Sequence, residues 1–461
     1  MSIGRAFAVL ADESPDAVAV RCGDDVLNRR ELDVRSNRVA HAWSDRVGHD
    51  DLVTICLPNG IDFVVACAAT WKLGATPQPL SPRIGAGERR AILDLAGPAL
   101  VVDGSLDLSD DDSPLPDLAA SSWKAPTSSG STGRPKIVRA AAPATIDPSG
   151  RVAPFVPRDA VQLVAGPLFH AAPFVYAMRG LMTGHELVVL PRFGAREALE
   201  AVERHGVTWM MLVPTMMHRI WRLGDDVRGA ADMSSLSSVL HMGARCAPWL
   251  KQAWIDWLGP DRVVEVYAGT ESQGLAMITG REWLDHPGSV GRGISGSEFR
   301  VVRPDGSVCE PGELGEILMR RDGPATYSYV GAEAIVRDGW HTLGDAGRMD
   351  ADGFLYVEDR LDDVIVTGGV KVQPAEVEAV LEEHPIVRSS VVVPHEDDEL
   401  GQAVHAAVDI ADAEVADDAF VAELQAWTRD RLDPEKVPRS WRLTRTELRD
   451  DTGKVRRSAH R

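Results

Sequence analysis

Apolar positions along the first third of the chain switch between two periods. In LDVRSNRVAHAW, residues 32–43, Leu32, Val39 and Trp43 fall near one face of a helix. The segment DLVTICLPNG that follows is a short apolar run closed by Pro-Asn-Gly. Spacing near 3.6 predicts an amphipathic helix, and a short apolar run ending in turn residues predicts a buried strand. The same exchange recurs in IDFVVACAATWKLGA, ALVVDGS, VQLVAGPLFH, HELVVLPRFG and, after the helix-like AREALEAVERH, in GVTWMMLVPT. Short buried strands between helices predict an α/β fold with largely parallel sheets, because such strands are covered on both faces. From about Gly288 the texture changes: SEFRVVRPDGSVCEPGELGEILMR carries Pro-Asp-Gly and Pro-Gly turn signals, predicting a β-rich subdomain. After Arg360 a last unit of about 100 residues reads as small and α+β, with AEVEAVLEEHP and DDAFVAELQAWTRDRL as helices and SSVVVPHED and AVHAAVDIA as strands.

Composition narrows the function classes. A chain of 461 residues with 44% hydrophobic content exceeds one ordinary domain. Its 49 Lys and Arg against 69 Asp and Glu give a formal charge of −20, which opposes nucleic acid or anionic lipid as a main partner. A polyphosphate substrate then needs a locally built site of backbone N–H groups and a few cations. Cys22, Cys56, Cys67, Cys246 and Cys309 are odd in number and scattered without CxxC spacing, which suggests neither a disulfide framework nor a zinc site and fits a reducing cytoplasm. No apolar run approaches the roughly 18 residues of a membrane span, and the N-terminus lacks an export signal.

The strongest chemical signal is TSSGSTGRPK, residues 127–136. Small residues let the backbone curl so that several N–H groups face one point, hydroxyls add donors and Lys136 adds charge, which suits a polyphosphate. The string is not the GxxxxGK[ST] loop of nucleotide hydrolases, and a Ser/Gly-rich stretch taken alone is more often a surface loop. It closely resembles the signature loop of the adenylate-forming superfamily, which includes acyl-CoA synthetases, adenylation domains of peptide synthetases and beetle luciferases. The resemblance assigns Thr127, Ser128, Ser129, Gly130, Ser131, Thr132 and Gly133 to ATP and makes Lys136 catalytic.

Four further segments resemble superfamily motifs in the same order. YAGTES, residues 267–272, places Tyr267 against adenine with Ala268 and Gly269 beside it, Thr270 on phosphate and Glu271 on Mg²⁺. A hard carboxylate suits that ion, and a flat ring suits a purine. WHTLGD, residues 340–345, assigns Asp345 to the ribose hydroxyls. DRLDDVIVTGGVKVQPAEVE, residues 359–378, resembles the hinge motif: Arg360 reaches ribose or phosphate, Asp362 is the pivot, and Gly368 and Gly369 line the acceptor tunnel. That motif commonly opens Gly-Arg, whereas Asp359 stands here. TGKVR, residues 452–456, resembles the final motif, whose lysine, Lys454, approaches the acid and the α-phosphate. The attack brings two anions together, so a mobile cation is needed there.

The resemblance spans the whole chain and implies a large AMP-binding domain, residues 1–359, made of two α/β subdomains and a β-rich one. A hinge at 360–363 and a small mobile cap at 364–461 follow. It places Phe169, His170, Phe174, Val175, Met178, Met242, Gly243, Ala244 and Gly269 near the acid, with Gly243 and Ala244 in the segment that passes beneath adenine and the acyl group. For each apolar residue, core packing is an equal alternative. GPLFHAAPF, LVPTMMHRIW and HMGARCAPWLKQAWIDWLG look most like bacterial fatty-acid or bile-acid CoA ligases, which implies a hydrophobic or aromatic acid, Mg-ATP and CoA as acceptor. Loading of a carrier protein, or activation of nitrite to diazotise an aryl amine, remains the alternative within the superfamily, and a non-catalytic scaffold the alternative outside it. A homodimer is common among such enzymes.

Overall fold

The structure is a computed structural model that describes residues 1–128, 135–150, 152–410, 418–449, 455 and 457–460. Among these, six parallel strands form the middle of the largest sheet, in the order Val18–Cys22, Glu186–Val189, Val161–Val164, Trp209–Leu212, Ser238–His241 and Val263–Ala268. Antiparallel strands flank them: Asp25–Asn28 at one edge, Leu275–Thr279 and Arg292–Gly293 at the other. Trp209–Leu212 is buried along its length, which explains why its sequence shows no polar alternation. A second parallel sheet has Leu52–Ile55 between Thr76–Pro79 and Leu100–Val102. The chain is thus α/β, as the apolar pattern predicts.

Local chemistry sets the helix ends. Asn28 and Glu31 form a reciprocal capping box at the start of Arg29–Trp43, and Gly206 in the left-handed region (φ 60°) ends Ala195–His205. The helix Ile61–Lys72 is buried on every side, so Lys72 needs partners; its ammonium meets Asp33 Oδ1 and Asn37 Oδ1, each at 2.5 Å.

The β-rich part has two sheets. Ser297–Val302, Gly315–Arg321, Trp340–Met349, Val336–Arg337 and Leu355–Arg360 form one, all antiparallel. The other pairs Lys136–Ala140 with both Thr127–Ser128 and Tyr327–Val330, tying the end of the phosphate-loop string to a distant strand. Past the short 3₁₀ turn Leu361–Asp363, five strands among the described residues and the helices Pro374–Glu382 and Asp418–Arg429 enclose a separate core containing Ile365, Val377, Leu381, Val392, Phe420 and Leu424.

Phe174 and Met178, expected beside the acid, lie instead in the large core under the first helices. Phe174 is fully buried, with its ring centroid 6.1–6.4 Å from Trp123, Trp71 and Phe63. Phe174→Ala is expected to destabilise the large unit by about 3–5 kcal/mol, measured by urea unfolding, because the three rings cannot collapse into the void.

Candidate active site

The strand Val263–Ala268 ends at the turn 269–274, so YAGTES spans the carboxyl end of the last parallel strand and the turn beyond it, the side of an open α/β sheet where ligands bind. A Cβ at Gly269 would sit 2.5 Å from Leu343 Cδ1 and 2.7 Å from Glu271 Oε2, so a side chain there would displace the ends of both. Ser272, at φ 56°, completes the turn by donating its N–H to the Gly269 carbonyl at 3.0 Å. Two anchors hold the peptide between them. The buried Lys124 ammonium donates to the Thr270 carbonyl at 3.0 Å, and Thr326 Oγ1 donates to the Glu271 carbonyl at 2.8 Å. Burial, aided by the nearby Arg179 cation, brings Lys124 down to about 8.

The Glu271 carboxylate is buried and points at two donors. Lys136 Nζ lies 3.3 Å and the Tyr329 hydroxyl 2.5 Å from Oε1, and Lys136 Nζ sits 3.9 Å above the Tyr329 ring. Pairing of Lys136–Ala140 with Tyr327–Val330 brings these groups side by side. Burial and the Glu271 contact push the Tyr329 hydroxyl up, so it stays a donor. Nothing in TYSYV marks Tyr329 as a site residue, since its place depends on that long-range pairing. Thr127 and Ser128 lie on the neighbouring strand, opposite Ile137 and Lys136. Ser129, Gly130, Ser131, Thr132 and Gly133 lie outside the described residues.

A second cluster forms where Trp340–Met349 and Leu355–Arg360 pair, with Asp345 directly opposite Arg360. Asp345 Oδ2 accepts from the Tyr267 hydroxyl at 2.6 Å, and Oδ1 accepts from Arg360 Nη1 at 2.9 Å. The same guanidinium also donates to the Leu343 carbonyl. Burial and the adjacent Asp345 charge push the Tyr267 hydroxyl well up, keeping it protonated. Beyond the aromatic placement read from the motif, Tyr267 thus orients the carboxylate assigned to ribose.

Met242, Gly243 and Ala244 follow the carboxyl end of Ser238–His241, the next parallel strand. Gly243 adopts φ 90°, which a side chain would strain. Met242 packs in a cluster with Trp209, Met211, Tyr176, Ala172 and Ala268. Tyr176, which sequence reasoning did not single out, shares a helix with Phe174 but faces this cluster, touching Phe155 and Trp209. Phe169 and His170 precede that helix with their rings 4.7 Å apart, and Val175 borders the large core. Gly368 (φ 54°) and Gly369 (φ 85°) form the two-residue turn between Ile365–Thr367 and Val370–Val372, a geometry that favours Gly-Gly by itself. Asp362 lies in the 3₁₀ turn, and Lys454 is outside the described residues.

The model of the AMP-binding enzyme family matches residues 7–125 and 125–328, and that of the AMP-binding enzyme C-terminal domain matches residues 376–454. The chain belongs to the AMP-binding enzyme family. It is 31% identical to a feruloyl-CoA synthase of Amycolatopsis sp over 481 aligned positions, covering 96% of this chain and 95% of the relative. Among solved structures it is similar to an o-succinylbenzoate CoA synthetase from Bacillus subtilis in complex with its acyl-adenylate intermediate, at TM-score 0.83 and 25% identity over 99% of this chain and 97% of that one. An amide bond synthetase from Marinactinospora thermotolerans superposes with TM-score 0.81 at 25% identity, over 100% and 99% of the two chains. No helix among the described residues is long and apolar enough to cross a membrane.

Proposed function

We propose that this protein is an ATP-dependent acid–CoA ligase that makes an acyl-adenylate from a hydrophobic or aromatic carboxylic acid and passes the acyl group to CoA. The observation that carries this reading is the single turn joining two clusters: Tyr267, bound to Asp345 and Arg360, and, four residues on, Glu271, facing Lys136 and Tyr329. One supplies a carboxylate and a cation for a ribose, the other a carboxylate and a cation for phosphates. The full-length likeness to a feruloyl-CoA synthase supports the acid class and the acceptor.

In this reading an oxygen of the acid attacks the α-phosphorus of ATP, the bond to the bridging oxygen breaks, and pyrophosphate leaves. Lys136 and Lys454 offset the charge that gathers on the phosphates. Glu271 suits Mg²⁺, which prefers one or two carboxylates plus phosphate oxygens; when bound, the ion supplies charge neutralisation. The thiol of CoA then attacks the acyl carbon, AMP departs and the thiol proton is lost. Residues 1–359 act as the adenylate-binding unit, 360–363 as hinge and 364–461 as cap. Swinging of the cap exchanges Lys454 for the face carrying Gly368 and Gly369, a hinge change at an element terminus. Met242, Tyr176, Phe169 and His170 bound the acid; Gly243, Ala244 and Ala268 lie under the nucleotide.

Similarity to an amide bond synthetase favours a second reading in which the adenylate goes to an amine. The test is ATP-dependent pyrophosphate release with aliphatic, aromatic and steroid-like acids and nitrite, with and without CoA, and products identified by mass spectrometry. A CoA-dependent thioester is expected. An adenylate that ignores CoA and acylates an amine, or turnover with nitrite and an aryl amine, would overturn the CoA assignment.

A further inference from the structure

The residue before Arg360 belongs to the strand Leu355–Arg360 of the large unit, yet its side chain serves the cap. The Asp359 side chain is only 7% exposed, and its Oδ2 accepts from the Ala375 N–H at 3.0 Å. Ala375 is the second residue of the helix Pro374–Glu382, whose own N-cap residue, Gln373, makes no side-chain cap bond. A helix start leaves N–H groups without intrahelical partners, and a carboxylate there also meets the positive end of the helix dipole. The cap for this helix is therefore delivered from across the 3₁₀ turn Leu361–Asp363.

The same carboxylate borders a second cross-hinge contact. Arg457 Nη2 lies 3.9 Å from Asp359 Oδ2, Nε lies 3.3 Å from Asp363 Oδ2, and Nη1 donates to Glu378 and, at 2.7 Å, to the Val392 carbonyl. Glu378 lies on the capped helix; although burial opposes it, Arg457 and Arg449 hold its carboxyl down at about 2. Arg457 is thus seated by carboxylates from the large unit, the hinge and the cap. It follows Lys454 by three residues, a span of at most about 10 Å of extended chain. Asp359 also adjoins Arg360, whose guanidinium is on Asp345.

We propose that Asp359 is a latch and a positioning residue for the first half-reaction. By capping the helix Pro374–Glu382 from the large unit and seating Arg457, it holds the cap against the large unit in the arrangement seen here, which we assign to the first half-reaction. This rests on the ligase reading above. A swing of the cap about 360–363 separates Asp359 from Ala375 and Arg457, so the latch favours adenylation over transfer.

The test compares Asp359→Ala and Asp359→Asn with the unaltered protein in two separate assays. Acid-dependent exchange of labelled pyrophosphate into ATP reads the first half-reaction; CoA-dependent consumption of supplied acyl-adenylate reads the second. Loss of one helix cap predicts exchange reduced about fivefold to tenfold in the Ala variant. The Asn variant, which keeps an acceptor for Ala375 but lacks the charge facing Arg457, is expected to fall between. Transfer from supplied acyl-adenylate is expected to stay the same or to rise in both. Equal loss in both assays, or unchanged exchange in both variants, would overturn the latch. Absence of exchange in the unaltered protein would instead overturn the ligase reading.

Discussion

Replacing Lys454 by alanine is expected to lower acid-dependent pyrophosphate release by about 10²–10³-fold, the range seen when one donor to a developing charge is removed. Affinity for ATP is expected to change little, because the clusters around Glu271 and Asp345 stay in place. The split follows from where charge develops. The acid and the α-phosphate are both anionic, so a cation that arrives with the tail acts on their approach more than on nucleotide binding. Rapid-quench measurement of pyrophosphate beside equilibrium binding of ATP checks it. Equal losses in both would remove Lys454 from the proposed role.

Glu271→Gln is expected to reduce adenylation about 100-fold and to raise the Mg²⁺ concentration needed for half-maximal rate, since a neutral amide is a poor ligand for a hard cation. The fold is expected to survive. Glutamine keeps an oxygen for the Tyr329 hydroxyl and for Lys136, and the backbone anchors from Lys124 and Thr326 do not involve the side chain. A Mg²⁺ titration of pyrophosphate release, paired with a thermal melt, separates the two effects. An unchanged Mg²⁺ dependence would show that Glu271 serves Lys136 and Tyr329 rather than a metal ion.

Two aromatic residues of the helix Ala171–Met182 show how far sequence reasoning reached. Phe174 and Tyr176 are two positions apart in a segment, AAPFVYAMRGLM, that is apolar over most of its circumference. A helix of that kind does not announce which of its faces packs into which cluster. Phe174 went to the core with Trp71 and Trp123, whereas Tyr176 joined Met242 and Trp209. Tyr329 was hidden for a different reason. It meets Glu271 only because its strand pairs with Lys136–Ala140, a register set by packing and not by any local string. Asp359 was legible as a departure at the hinge, but its bond to Ala375 was not, because it joins two separately packed units on either side of the hinge.

Local order is what the sequence by itself determined. Alternating apolar runs and helical stripes specified an α/β chain with a β-rich stretch and a small last unit, since burial of short strands on both faces leaves a direct trace in composition. Strings such as TSSGSTGRPK and YAGTES marked the nucleotide chemistry, because backbone curvature and a hard ligand depend on residue types at adjacent positions. Tertiary structure alone decided which side chains share a site: Tyr329 with Glu271, Tyr267 with Asp345, Asp359 with a helix of the other unit. Those pairings depend on strand register and on how the units pack, interactions between distant segments that no local period encodes.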